Sequence, residues 1–196
     1  MDQNDLALTQ LRCLLNLHPH PPLPYSANTD SFPSATFNYV PETPEIEGNV
    51  AACGIPQPFH SDKELAGKKV VFVSVPGAFT PTCTANHIPP YIENVDKLKA
   101  KGVDKVVVIS ANDPFVLSAW GRALKAPKDN FFIFASDGNA AFSKSIGQAV
   151  DLASVGFGER TARYAIIVDD GKVTYNEQEP GKEVTVSGFD AVYAKL

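Results

Sequence analysis

The chain has 196 residues, 44% of them apolar, which suits one cored domain or one domain with a tail. Its net charge of −5 comes without a basic cluster, which argues against nucleic acid as a partner and gives no attraction to an anionic membrane surface. No apolar run approaches the ~20 residues of a membrane span, and the three cysteines, Cys13, Cys53 and Cys83, are too few and odd in number for a secreted disulfide scaffold; they fit an intracellular chain with a reactive thiol.

Residues 1–30 read as a disordered N-terminal extension ahead of a folded unit over 31–196. Residues 6–17 have the pattern of a short amphipathic helix, and the Pro-rich run from His18 to Pro24 excludes helix and favours polyproline II. Neither a basic start nor a small-residue cleavage site marks a secretory signal, and a lone Arg12 beside Asp2 and Asp5 does not make a mitochondrial presequence. Cys13, His18 and His20 lack a fourth ligand and a rigid frame for a metal.

The folded region opens with an edge strand over 35–40, a loop over 41–48, and a short strand or turn over 49–55 closed by Pro56 and Pro58. Ser61 is placed to cap a short helix that Gly67 stops. Val70-Val71-Phe72-Val73-Ser74-Val75 reads as a buried strand. A helix begins near Thr84, is broken or kinked at Pro89-Pro90, and resumes over 91–101. Val106 to Ile109 is apolar throughout, as in a central parallel strand. Asn112-Asp113-Pro114 starts a helix that carries Phe115, Val116, Ala119 and Trp120 and stops before Pro127. A strand over 131–134, a helix over 139–146, a hairpin turning at Asp169-Asp170-Gly171 and a final helix over 187–195 complete the chain. Strands separated by helices and closed by a hairpin fit an α/β fold, a mixed sheet with helices on both faces.

Everything converges on Pro76-Gly77-Ala78-Phe79-Thr80-Pro81-Thr82-Cys83, between a strand end and a helix start. Unpaired backbone N–H groups and the positive end of a helix dipole favour thiolate over thiol there. Thr80 stands three residues before Cys83, so the pattern is that of a Cys-x-x-Cys whose first thiol has become a hydroxyl. The competing reading of Cys83 is a buried, inert cysteine.

Pro76-x-x-x-Thr80-x-x-Cys83 resembles the peroxidatic motif of peroxiredoxins. The longer string, with His87-x-Pro89 behind it, is similar to the type-5 branch and to its fungal members. Lys101-Gly102-Val103, Val108 to Asp113, Ala119-Trp120-Gly121-Arg122 and Arg163-Tyr164-Ala165 extend the likeness, which runs from about Phe32 to the C-terminus. The resemblance implies a thioredoxin-like fold with an N-terminal β-hairpin, no cofactor, and a thiol peroxidase that reduces hydrogen peroxide and organic hydroperoxides through a sulfenic acid on Cys83. It implies that Thr80 orients the peroxide, that Pro76 shields the sulfur, and that Arg163 supplies the fixed positive charge, with Arg160 as the competing arginine. His87 is expected to make a structural hydrogen bond. A homodimer is implied, with Phe79, Phe115 and Trp120 near an interface that covers the site.

Type-5 relatives often hold a resolving cysteine near the C-terminus. Here Val184-Thr185-Val186-Ser187 has none, and elimination leaves Cys53 as the resolving thiol, within or between subunits. The alternative is a one-cysteine enzyme recycled directly by thioredoxin or by glutathione with glutaredoxin. A peroxide sensor that passes oxidation to a partner, and a binding module with an inert thiol, are the other readings. The terminal Ala194-Lys195-Leu196 is similar to the Ser-Lys-Leu signal read by the peroxisomal import receptor, which points to the peroxisome, with the cytoplasm as the other address.

Overall fold

A computed structural model describes residues 31–46 and 52–196 of the protein. The expected N-terminal extension with its helix and polyproline run, Cys13, and residues 49–51 of the expected strand or turn lie outside the described residues.

Among the described residues seven strands form one mixed sheet, in the order 57–60, 36–39, 132–136, 105–110, 69–74, 164–169 and 172–178. At its centre β3 (Lys69–Ser74) and β4 (Lys105–Ser110) run parallel, and β4 pairs in parallel with β5 (Phe132–Ser136). These strands are apolar almost without a break because both of their faces are covered. The side-chain period of two then sorts them. Val71, Val73, Val106 and Val108 enter one core with Leu117, Trp120, Tyr91 and Cys83. Val70, Phe72, Val107 and Ile109 enter the other, where the rings of Phe32, Phe37, Phe59, Phe72 and Phe142 pack on one another.

On one flank β1 (Thr36–Tyr39) lies antiparallel to β5 and forms a hairpin with β2 (Gln57–His60). Pro58 falls inside β2, which an edge strand tolerates because one side of its backbone has no ladder to complete. On the other flank β8 (Tyr164–Asp169) runs antiparallel to β3 and turns into β9 (Lys172–Gln178). A separate ribbon, β6 (Ala149–Leu152) with β7 (Gly158–Thr161), is absent from the sequence reading because its strands alternate weakly and are half exposed.

Two helix boundaries also differ from expectation. Ser61 is the first residue of α1 (Ser61–Glu64), not its cap, and its buried hydroxyl instead accepts from the Ala35 amide at 2.8 Å and donates to the Pro33 carbonyl at 3.2 Å. The segment expected over 91–101 is two helices, α2 (Pro89–Glu93) and α3 (Val95–Ala100). They part at Asn94, whose side chain donates to the Pro90 carbonyl at 2.8 Å and competes with the backbone ladder. The helix α4 (Pro114–Ala123) is capped as expected: Asp113 accepts from the Phe115 and Val116 amides. Two short helices follow, α5 (Ala141–Ser145) and α6 (Phe189–Tyr193). Among the described residues no helix is long and apolar enough to cross a membrane.

Gly121 on α4 shows how tightly the first core is packed. A Cβ there would lie 2.7 Å and 2.9 Å from two atoms of the Phe134 ring, which meets the Trp120 indole edge-on. Alanine gains ~1 kcal/mol of helix propensity, but overpacking costs about 1–3 kcal/mol. Gly121→Ala is therefore expected to lower the urea midpoint with an unchanged slope, a net loss of up to about 2 kcal/mol; a raised midpoint would contradict this packing.

Candidate active site

The strand β3 ends at Ser74, and two hydroxyls tie its exit to the end of β7 and the residue after it. Ser74 Oγ donates to the Ala162 carbonyl and Thr161 Oγ1 to the Val75 carbonyl, each at 2.7 Å. The loop 76–80 that follows is held from the side. The Ala78 amide donates to Asn112 Oδ1 at 2.9 Å, and that oxygen also accepts from Ser110 Oγ at 3.0 Å. Arg160 Nη1 lies 3.4 Å from both the Pro76 carbonyl and Asn112 Oδ1. Gly77 is buried where these meet: a Cβ there would sit 3.0 Å from Thr80 Cγ2 and 3.6 Å from Arg160 Nη1. Phe79 takes a φ of 60°, a conformation costing a non-glycine residue roughly 1–2 kcal/mol, and its ring is 55% exposed.

Helical geometry starts at Pro81, and Cys83–His87 form a π turn closed by the Ile88 amide on the Cys83 carbonyl at 3.2 Å. Such wide turns are rare and cluster at functional sites. Cys83 is wholly buried, as is His87 four residues on, so the two side chains share one face of the turn. Trp120 Nε1 donates to Thr84 Oγ1 at 3.2 Å and fastens the turn to α4.

The guanidinium of Arg163 lies against this face. Its Nη1 is 3.4 Å from Cys83 Sγ and 3.0 Å from His87 Nδ1. Arg163 reaches the site because β8 is the neighbour of β3: Tyr164 pairs with Ser74, so the residue before β8 stands where β3 releases the chain toward Cys83. Arg160 instead donates to the Pro76 and Phe157 carbonyls and to Asn112 Oδ1. Thr80 Oγ1 donates to the Gly77 carbonyl at 2.9 Å, which leaves its lone pairs to accept from an incoming O–H.

Sequence reasoning missed what stands behind His87. Its Nε2 is 2.9 Å from the Ser187 carbonyl and 3.1 Å from Ser187 Oγ. Burial pushes the His87 ring down to about 4, with the nearby Arg163 charge acting in the same direction and the Ser187 bond opposing both. Ser187 Oγ and the Ser187 amide each donate to Glu179 Oε1 at 2.7 Å, the Thr185 amide does so at 2.7 Å, and Thr185 Oγ1 donates to Oε2 at 2.5 Å. Burial works against the Glu179 charge, but these donors prevail and hold its carboxyl at about 2. A cleft of about 490 Å³ between Thr82, Asn86, Pro90 and residues 182–185 and 188–191 lies beside the turn without being lined by Cys83.

Cys53 and Cys83 are both free thiols in this structure. Cys53 is exposed, on the segment between β1 and β2, and a Cβ on adjacent Gly54 would meet Val40 just beyond β1. Cys53 follows β1 and Cys83 follows β3, strands that stand three inter-strand steps apart in the sheet, roughly 14 Å at ~4.8 Å each.

A mixed sheet that delivers one buried cysteine, a hydroxyl three residues before it and an arginine onto its sulfur defines a thiol-based redox protein of the thioredoxin-like class. The model of the Redoxin family matches residues 27–193. A protein of Lipomyces kononenkoae named as a peroxisomal peroxiredoxin is 56% identical over 169 residues, 86% of this chain and 99% of its own length. Among solved structures, reduced Prx3 from Vibrio vulnificus in complex with H2O2 superposes with a TM-score of 0.74 at 39% identity, covering 86% of this chain and 98% of that one. Peroxiredoxin 5 from Alvinella pompejana does so with a TM-score of 0.69 at 26% identity, covering 88% and 97%. The chain belongs to the redoxin family, and within it is a peroxiredoxin, an oxidoreductase.

Proposed function

We propose that the protein reduces hydrogen peroxide and organic hydroperoxides at Cys83, and the observation that carries this reading is the Arg163 guanidinium 3.4 Å from a buried Cys83 sulfur. The thiolate attacks the terminal oxygen of the hydroperoxide. An S–O bond forms as the O–O bond breaks, Cys83 becomes a sulfenic acid, and the departing oxygen takes a proton and leaves as water or an alcohol.

Ionisation alone does not supply the rate. A thiol of pKa about 8.5 gains at most roughly thirtyfold from full ionisation at pH 7, and a fall of ~2.5 units weakens the nucleophile by roughly tenfold at a Brønsted slope of about 0.45. The larger share falls to positioning and to charge stabilisation on the leaving oxygen. Thr80 Oγ1, its proton directed to Gly77, accepts from the peroxide O–H and aims the other oxygen at Sγ. Arg163 stabilises the charge that develops, and Pro76 shields the sulfur.

A second thiol then attacks the sulfenic sulfur, water leaves, and a disulfide to Cys83 forms. The free, exposed Cys53 thiol and the sheet steps between β1 and β3 support a thiol from outside the chain: thioredoxin, glutathione with glutaredoxin, or Cys53 of a second subunit. Because Cys83 has no exposed surface, the π turn opens before that thiol enters. Phe79 and Phe115, 55% and 47% exposed, support a homodimer that covers them. The Lipomyces relative's name, with Ala194-Lys195-Leu196 offered to the import receptor, supports a peroxisomal address; the cytoplasm is its other compartment. We also place the domain boundary near residue 31, ahead of the first described bridge at Ser31.

One equivalent of peroxide followed by a sulfenic-acid trap and peptide mapping tests the chemistry. Label is expected at Cys83 alone, with the peroxide consumed; unconsumed peroxide and an unmodified Cys83 would remove the peroxidase reading. Without the trap, a Cys53–Cys83 bond in a cross-linked dimer assigns the second thiol to the partner chain. A sensor differs in that oxidation appears on a partner protein rather than on thioredoxin or glutathione.

A further inference from the structure

We propose that His87 is the positioning residue of Arg163, held in a single tautomer by a relay through Ser187 to the buried carboxylate of Glu179. The proposal deepens the peroxidase reading and rests on it.

Proton direction carries the argument. A guanidinium only donates. At 3.0 Å from Arg163 Nη1, His87 Nδ1 therefore presents its lone pair, and the ring proton sits on Nε2. Nε2–H then donates to the Ser187 carbonyl at 2.9 Å and faces Ser187 Oγ at 3.1 Å. Ser187 Oγ–H has been given to Glu179 Oε1 at 2.7 Å, so the hydroxyl too turns a lone pair toward Nε2. Every proton runs the same way, from Arg163 through His87 and Ser187 to one carboxylate. Reversing any link puts two donors, or two lone pairs, face to face in a space without water-facing surface, since His87 and Ser187 have none exposed.

The relay also closes on itself. The Glu179 amide donates to the Arg163 carbonyl at 2.8 Å, so one residue fixes the backbone of Arg163 directly and its guanidinium through the side chains. The π turn is the reason a single nitrogen can serve both partners. It sets Cys83 and His87 on one face, and Nη1 carries two protons, one for Sγ and one for Nδ1. Without the imidazole the second proton has no acceptor, and the first loses its direction. His87 meets no substrate atom in this scheme; it acts through Arg163.

Two substitutions separate that role from packing. In His87→Asn the amide oxygen takes the place of Nδ1 and keeps an acceptor for Arg163, while the bond to Ser187 is lost. In His87→Gln an amide N–H takes the place of Nε2 and keeps Ser187, while Arg163 loses its acceptor. The second-order rate of Cys83 oxidation by hydrogen peroxide is expected to fall about tenfold in His87→Gln, the result of loosening rather than removing one charge-stabilising donor, and only about threefold in His87→Asn. Equal losses in the two variants, or a larger loss in His87→Asn, would overturn the proposal and leave a structural histidine. Ring ¹⁵N shifts of His87 in the reduced wild-type protein need no variant: an unprotonated Nδ1 and a protonated Nε2 support the relay, and a proton on Nδ1 overturns it. A wild-type protein that leaves peroxide unconsumed sinks the peroxidase reading instead, an outcome the ¹⁵N shifts do not share.

Discussion

Arg163→Met is expected to slow the oxidation of Cys83 by hydrogen peroxide by about 10²–10³, the effect of deleting one preorganised donor to a developing charge. Methionine keeps much of the buried stem of the arginine, so the loss falls on the charge and the hydrogen bonds rather than on packing. Since the gains and losses from thiol ionisation nearly cancel, a residue aimed at the leaving oxygen is where the rate must come from. The same substitution leaves His87 Nδ1 without its donor in a buried place, which costs about 1–3 kcal/mol of stability. Arg163→Lys keeps the charge, but its ammonium sits on a shorter stem and falls short of the point that Nη1 holds between Sγ and Nδ1; its rate is expected between those of Arg163→Met and the wild type. Stopped-flow traces of Cys83 oxidation at fixed pH measure all three proteins, with Cys83→Ser as the zero. An Arg163→Met rate within threefold of wild type would move the catalytic charge elsewhere, with Arg160 the next arginine to replace.

What could be read from the sequence, and what could not, follows from how far each interaction reaches along the chain. The central strands announce themselves because a strand covered on both faces is apolar at every position, as over Val70–Val73 and Val106–Ile109. Thr80 and Cys83 lie three residues apart, so their relation is local, and the motif carries it. Arg163 is eighty residues from Cys83, and its place beside the sulfur is created by the register of β8 on β3, in which Ser74 faces Tyr164. No periodicity encodes that register; the resemblance alone singled out Arg163. The relay behind His87 was invisible for the same reason and one more. His87 and Ser187 stand one hundred residues apart, and Glu179 sits among Glu177, Glu183 and Lys182 in what reads as a solvated stretch. The ribbon of β6 and β7 was missed because half-exposed strands with Asp151, Glu159 and Arg160 in them carry no clean alternation. The sheet steps between β1 and β3, the strands that Cys53 and Cys83 follow, were equally unreadable, since elimination by residue type says nothing about strand order.

The relay has a consequence for stability that is testable without any peroxide. His87 is held down at about 4 from an ordinary 6.5, first by burial, and Glu179 at about 2 from an ordinary 4.5, its donors overcoming burial. Both groups bind a proton less readily folded than unfolded. Their contributions are therefore fully present above the ordinary values and are lost as pH falls toward the folded ones. For His87 that window runs from about 6.5 down to about 4, and a shift of this size amounts to about 3 kcal/mol, at 1.36 kcal/mol per unit. The Glu179 window opens below about 4.5, so acid first charges the imidazole, then neutralises the carboxylate that anchors it. Protonated His87 would also turn an N–H toward Arg163, which releases the guanidinium before the fold itself is lost. Urea unfolding of the wild type and of His87→Asn between pH 8 and pH 4.5 reads this directly. The wild type is expected to be the more stable at pH 7.5 and to lose most of its advantage by pH 4.5, because asparagine has no proton to gain. Parallel curves across that range would show that His87 does not carry the acid sensitivity, and that the imidazole takes up its proton in the folded protein as readily as in the unfolded chain.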